Sequence, residues 1–154
     1  MPIPSEGMRG RAGGRRLWRW APALIWMGAI FALSARSGGQ LDTWLPFFRR
    51  LFPGLQSFNP MHYVAYFGLA LTVAYGQGSR FWSWTGGLLN VLICVLYGVT
   101  DEWHQSYVPN RSPDVMDLLH DGIGAAAACL VLFVWHWRFR GKRARYYSSR
   151  KSRN

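Results

Sequence analysis

Residues 97–124 read YGVTDEWHQSYVPNRSPDVMDLLHDGIG, and the fold turns on this stretch. Five of the chain's seven acidic residues lie in it: Asp101, Glu102, Asp114, Asp117 and Asp121. It also holds His104, His120 and Arg111. Apolar runs flank it on both sides, from Leu88 to Val99 and from Ile123 to Trp137. A charge in hydrocarbon is expensive and normally faces a bundle interior, a cavity or a partner. The patch therefore sits at a membrane surface or dips into the membrane as a site, and the rest of the chain reads as its scaffold.

Working outward, four stretches read as spans: about 17–35, 61–75, 81–100 and 115–137. The first, LWRWAPALIWMGAIFALSA, is close to the ~20 residues needed to cross the hydrocarbon core. Trp18 and Trp20 suit an interfacial aromatic belt, as do Trp82, Trp84, Trp135 and Trp137 at the later span ends. A basic start, a short apolar core and Ala32-Leu33-Ser34 also fit a signal peptide, whose cleavage would leave the later spans facing the same way. Between the first two spans, TWLPFFRRLFPGL (Thr43 to Leu55) reads either as an interfacial segment lying on the membrane or as a capping loop. Gly122, Gly124 and Ala125 to Ala128 offer small residues for close helix packing. The expected fold is all-α, an integral membrane four-helix bundle with short loops.

Composition agrees with this reading. Half of the 154 residues are hydrophobic, and the formal charge of +11 comes mainly from the two ends. Residues 1–16 read as a disordered basic tail and 138–154 as a second basic tail. Beside membrane spans, such tails anchor to anionic lipid at roughly 1 kcal/mol per basic residue, so nucleic acid is not expected as a partner. The positive-inside rule puts both tails and Arg80 in the cytosol and the acidic patch on the extracytoplasmic side. Cys94 and Cys129 lie in apolar runs without a CxxC and read as buried spectator thiols.

Within the patch, a third helix continued to Gln105 puts Tyr97, Asp101 and Gln105 on one face. Pro109 and Pro113 then break the helix, and Ser112 or Asp114 can cap the next one. Asp114, Asp117 and Asp121 recur at i, i+3 and i+7, forming one stripe. Arg111, with its planar fork, is the natural partner for these acids. Two roles stay open for it: clamping Glu102 or Asp117 as a structural pin, or binding an anionic head group while the acids manage protons or a cation. Asp101, Glu102 and His104 with Asp117 and Asp121 could together hold a hard divalent cation. No strict ligand motif supports that, so no metal and no cofactor are expected. His62 shares a helix face with Tyr66 and starts its span on the side of the patch, within reach of it. His104 reads as an exposed loop neighbour, and His120 as pointing partly away from the stripe. No nucleophile elbow surrounds Ser34, Ser106 or Ser112.

At these residues the chain resembles the VanZ-like family of small bacterial membrane proteins. That family's pattern is an acid followed three residues later by Gln, an Arg-Ser turn, an Asp, a further Asp or Asn, and Gly. Here these fall on Glu102, Gln105, Arg111, Ser112, Asp117, Asp121 and Gly124. HYVAYFGLAL is similar to the family's earlier His-aromatic span, at His62, Tyr63 and Tyr66. An Asp-Lys pair commonly precedes that histidine, and this chain has Asn59, Pro60 and Met61 there. The resemblance implies a helical protein of the bacterial cytoplasmic membrane whose namesake is an accessory factor in glycopeptide resistance, particularly to teicoplanin. Two classes of function are then expected. One is a binding or modulating factor of the cell envelope, with Glu102, Gln105, Arg111, Asp117, Asp121 and His62 contacting a membrane lipid or lipid-linked wall precursor. The other is an intramembrane enzyme on an anionic lipid, with Glu102 or Asp117 as general base.

Overall fold

A computed structural model describes residues 17–37 and 60–151, together with isolated positions 39, 43, 46, 47, 49 and 50. Side chains are described as far as Phe139. Four helices carry the fold: α1 (Ala21–Ser34), α2 (Pro60–Gln77), α3 (Trp84–Gln105) and α4 (Val115–Lys151). No strand occurs among the described residues. The architecture is an all-α four-helix bundle, as the hydrophobic spacing implies.

The helix ends follow local chemistry. Pro22 sits in the first turn of α1, where its missing N–H costs nothing. Gly78 takes a positive φ of 62°, a conformation cheap only for glycine, and opens the 3-10 segment Gly78–Trp82 that turns the chain from α2 into α3. Ser83 caps α3 by accepting the Gly86 N–H at 3.0 Å. In the turn before α4, Asn110 adopts φ 59°, which asparagine tolerates better than most residues. Asp114 then accepts the Met116 N–H at 2.8 Å and caps α4.

Boundaries shift from those read in the sequence. The first helix covers 21–34 rather than 17–35. The third starts at Trp84 and runs through Gln105 rather than ending near 100. The fourth continues past 137 to Lys151, so the basic segment begins as helix. Among the described residues, two segments are long and apolar enough to cross a membrane, Trp84–Gln105 and Val115–Phe139, and Ala21–Ser34 is a shorter apolar helix. The N-terminal tail at 1–16 lies outside the described residues, as does most of the segment 43–55.

The helices alternate in direction. At one end Arg19, just before α1, donates to the Tyr75 carbonyl near the end of α2 at 3.1 Å. Trp82, before α3, stacks on His136 of α4 with ring centroids 4.0 Å apart. At the other end Phe31 of α1 stacks on His104 of α3 at 4.1 Å, and His62 of α2 meets Asp121 of α4. Mid-bundle, Tyr97 Oη donates to the Met27 carbonyl at 2.7 Å, and Trp26 Nε1 donates to the Ala65 carbonyl at 2.8 Å. Buried Asn90 donates to the Ala70 carbonyl at 3.1 Å and to Gln77 Oε1 at 3.2 Å.

Small residues fill the helix contacts beside a few large buried side chains, Tyr66, Leu69, Val73 and Phe81. Ala70, Ala125 and Ala128 are fully buried, while Leu88 is 71% and Leu130 63% exposed. Small residues at helix contacts with many large apolar residues exposed is a pattern found in helices packed in lipid, where close backbone approach replaces hydrophobic collapse. Gly124 shows how close that approach is. A Cβ there would strike the Tyr63 carbonyl oxygen and lie 3.1 Å from its C and Cα. α2 and α4 touch backbone to side-chain-free backbone, and that contact sets His62 opposite Asp121.

Candidate functional site

The end of the bundle formed by the start of α2, the end of α3 and the start of α4 is polar inside. Asp101, Glu102, Gln105, Asp117 and Asp121 are all buried there, Asp121 completely. Each helix contributes for a local reason. On α3, Asp101 and Gln105 are four apart and meet on one face, Gln105 Nε2 donating to Asp101 Oδ2 at 3.1 Å. Asp117 and Asp121 are likewise one turn apart on α4, and both face inward. Asp114 does not join them; it is exposed and spends its side chain on the cap.

His62 holds the centre. Asp121 Oδ1 accepts from His62 Nδ1 at 2.9 Å, and Asp117 Oδ2 lies 3.7 Å from Nε2. The imidazole thus bridges two carboxylates one turn apart, 55 and 59 residues downstream. Asp117 has a second imidazole, His120 Nδ1 at 3.2 Å. His120 therefore turns toward the stripe, against the direction expected from its helical position, and its ring packs on Tyr63 with centroids 4.6 Å apart. His104 is helical and half-buried against Phe31 rather than exposed in a loop.

The expected clamp by Arg111 is corrected by the structure. No ion pair among the described residues includes Arg111, Asp101 or Glu102. Arg111 is partly buried, and its Nε has no hydrogen-bond partner. Glu102 instead accepts the Asp114 backbone N–H through Oε2 at 2.9 Å. A backbone donor at the start of a helix satisfies a carboxylate without a counter-charge, and it tethers the α3 end to the α4 start.

Several buried atoms are left over. Asp101 Oδ1, Glu102 Oε1 and Asp121 Oδ2 have no hydrogen-bond partner among the described residues, nor has the hydroxyl of Tyr66, which is 1% exposed. The rings of Tyr66 and His62 run nearly parallel, 4° apart, with centroids separated by 6.3 Å. Leaving a buried polar atom unmade costs about 1–3 kcal/mol, so a cluster with four of them is poised for a ligand or a proton. His62, Asp101 and Glu102 each offer one ligand atom within 4.8 Å of the others, a spacing suited to a metal ion.

Sequence reasoning missed one contributor to the site and one buried polar pair elsewhere in the bundle. Gly98 lies one turn before Asp101 and Glu102 on α3, and a Cβ there would come within 2.5 Å of Asp121 Oδ2. Its signal was an isolated glycine inside an apolar helix, which costs about 1 kcal/mol against alanine and asks for a packing reason. The pairing of Asn90 with Gln77 had no sequence signal, because the partners lie 13 residues apart on different helices.

A family model described as VanZ/LLP1 matches residues 19–136, well over half of the chain. No curated protein and no solved structure matches it.

Proposed function

We infer that this chain, which belongs to the VanZ/LLP1 family, is a multi-pass membrane protein of the bacterial envelope that binds the anionic head group of a lipid or lipid-linked wall precursor. One observation carries this reading. A buried polar cluster lies between apolar helices, and the loop joining α3 to α4 presents a partly buried guanidinium whose Nε is unpartnered. A guanidinium that spends none of its charge on the neighbouring carboxylates keeps its fork for a phosphate or carboxylate from outside. The outward-facing leucines and valines of α3 and α4 then contact acyl chains. Both termini are cytosolic and the cluster faces the extracytoplasmic side, by the bias of basic residues toward the two tails and Arg80. A link to glycopeptide susceptibility, teicoplanin included, is the finer form of this reading and rests on the family alone.

Lipid co-purifying with the chain from native membranes tests the binding. Arg111→Ala should remain folded and lose most of the anionic lipid, and Arg111→Lys should recover little of it. A folded Arg111→Ala protein that keeps its lipid overturns the assignment. Orientation is tested by labelling with a membrane-impermeant maleimide, since Cys94 and Cys129 are buried. Tyr107→Cys should react in intact cells and Ser79→Cys only after permeabilisation. The reverse pattern defeats the extracytoplasmic site.

A second reading has its own observation. Glu102 is tethered through Oε2 and leaves Oε1 without a partner, the arrangement of a positioned general base. In that case Glu102→Gln retains lipid and abolishes turnover of it. A lipid extract without any Glu102-dependent product defeats the enzyme and leaves binding.

A further inference from the structure

We propose that His62, Asp101 and Glu102 bind a divalent transition-metal ion, of the class represented by Mn2+ and Zn2+. The proposal stands on geometry and is independent of the head-group reading. One ligand atom from each residue lies within 4.8 Å of the other two, close enough for the three to converge on one ion. The way each ligand is held is more telling. Asp101 has one oxygen fixed by Gln105 Nε2 at 3.1 Å, and its other oxygen is buried without a partner. Glu102 has one oxygen fixed by the Asp114 N–H at 2.9 Å, and its other oxygen is likewise buried and unpartnered. Both residues are more than nine-tenths buried, at 4% and 6% exposure.

His62 repeats the pattern. Its Nδ1 is held by Asp121 Oδ1 at 2.9 Å. With that hydrogen donated to the carboxylate, Nε2 carries the lone pair. A metal-binding imidazole ordinarily donates its other N–H to a carboxylate, which fixes the tautomer and orients the ring. Asp101 and Glu102 are thus tethered at one oxygen and open at the other, while His62 is tethered at Nδ1 and its Nε2 lies 3.7 Å from Asp117 Oδ2, beyond hydrogen-bond distance. Charge points the same way. Asp101 and Glu102 are adjacent, buried and outside every ion pair among the described residues. Two neighbouring carboxylates need a cation or protons to be stable there. The donor set decides the class: two hard carboxylates alone would suit Mg2+ or Ca2+, and an imidazole shifts preference toward Mn2+, Fe2+ or Zn2+. Three protein ligands leave positions open for water or for an oxygen of a bound ligand.

The test uses the full chain in detergent, free of any histidine tag, stripped with chelator and reloaded with Mn2+ or Zn2+. Elemental analysis after desalting should find about one ion per chain, and Co2+ loading should give a visible d–d spectrum typical of mixed nitrogen and oxygen ligands. Asp101→Asn with Glu102→Gln should abolish retention. Gln105→Ala, which removes only the tether on Asp101, should weaken it roughly tenfold or more. His136→Ala, at the opposite end of the bundle, should retain the ion as the parent does. If the double variant fails to fold, the Co2+ spectrum and the metal-dependent rise in melting temperature of the parent still decide. A parent that retains no ion and melts at the same temperature with and without metal overturns the site. Retention unchanged in a folded double variant overturns it equally. Lipid retention plays no part in these readouts, so loss of the head-group reading leaves the metal result standing, and the reverse.

Discussion

Replacing His62 by Leu should be among the most damaging single changes in the bundle, and the structure supplies the reason and the size. Asp121 is fully buried, its Oδ1 has only the His62 Nδ1 at 2.9 Å, and its Oδ2 has no partner. His62→Leu therefore strands a carboxylate with no hydrogen bond at all. Asp117 suffers less, because His120 Nδ1 remains 3.2 Å away. Stranding a buried charge by removing its only partner costs about 3–5 kcal/mol. In a chain of this size each kcal/mol moves the melting temperature by about 2–4 °C, so a fall of about 6–20 °C is expected. Asp121→Asn alone should cost about 1–3 kcal/mol, the penalty for a neutral polar group with an imperfect partner. The double variant His62→Leu with Asp121→Asn removes the stranded charge. It should be more stable than the sum of the two losses implies, with a coupling of about 1–3 kcal/mol. Thermal melts of the four proteins in one detergent give the cycle. A His62→Leu protein that melts with the parent, or strictly additive losses, would refute the idea that His62 satisfies Asp121.

Three further outcomes follow from the packing. Gly124→Ala must push α2 from α4, because the new methyl meets the Tyr63 backbone rather than a movable side chain. A loss of about 1–3 kcal/mol is expected in thermal melts, with the His62–Asp121 contact broken as seen in the His62 imidazole NMR signals. Gly98→Ala meets side chains rather than backbone, Asp121 Oδ2 at 2.5 Å and Leu118 Cδ2 at 3.2 Å, so it should reorient the carboxylate at smaller cost. Lipid or metal retention should drop there more than stability does, and an unchanged site would show that Gly98 is not needed for its shape. Asn90→Ala strands the Gln77 side-chain oxygen and should cost about 1–3 kcal/mol by the same melts, with Cys94, whose thiol donates to Asn90 Oδ1 at 3.8 Å, becoming more reactive to thiol reagents.

Much of this protein was determined by sequence alone, for one physical reason: helix periodicity is local. Apolar runs of helical length, punctuated by Pro60, Gly78, Pro109 and Pro113, specify four helices and their order. Spacings of three and four residues specify that Asp101 faces Gln105, and that Asp117 and Asp121 share a stripe. What periodicity cannot specify is which residue completes a charge cluster across helices. The reading nearest in sequence paired the acids with Arg111, in the turn just before α4. The sequence put His62 within reach of the patch, and only the tertiary structure set it against Asp121, 59 residues away. That choice depends on a backbone approach allowed by the missing side chain at Gly124, and on the Asp114 N–H meeting Glu102 before any guanidinium does. Side-chain reach and backbone separation are properties of the packed bundle, and no local spacing encodes them.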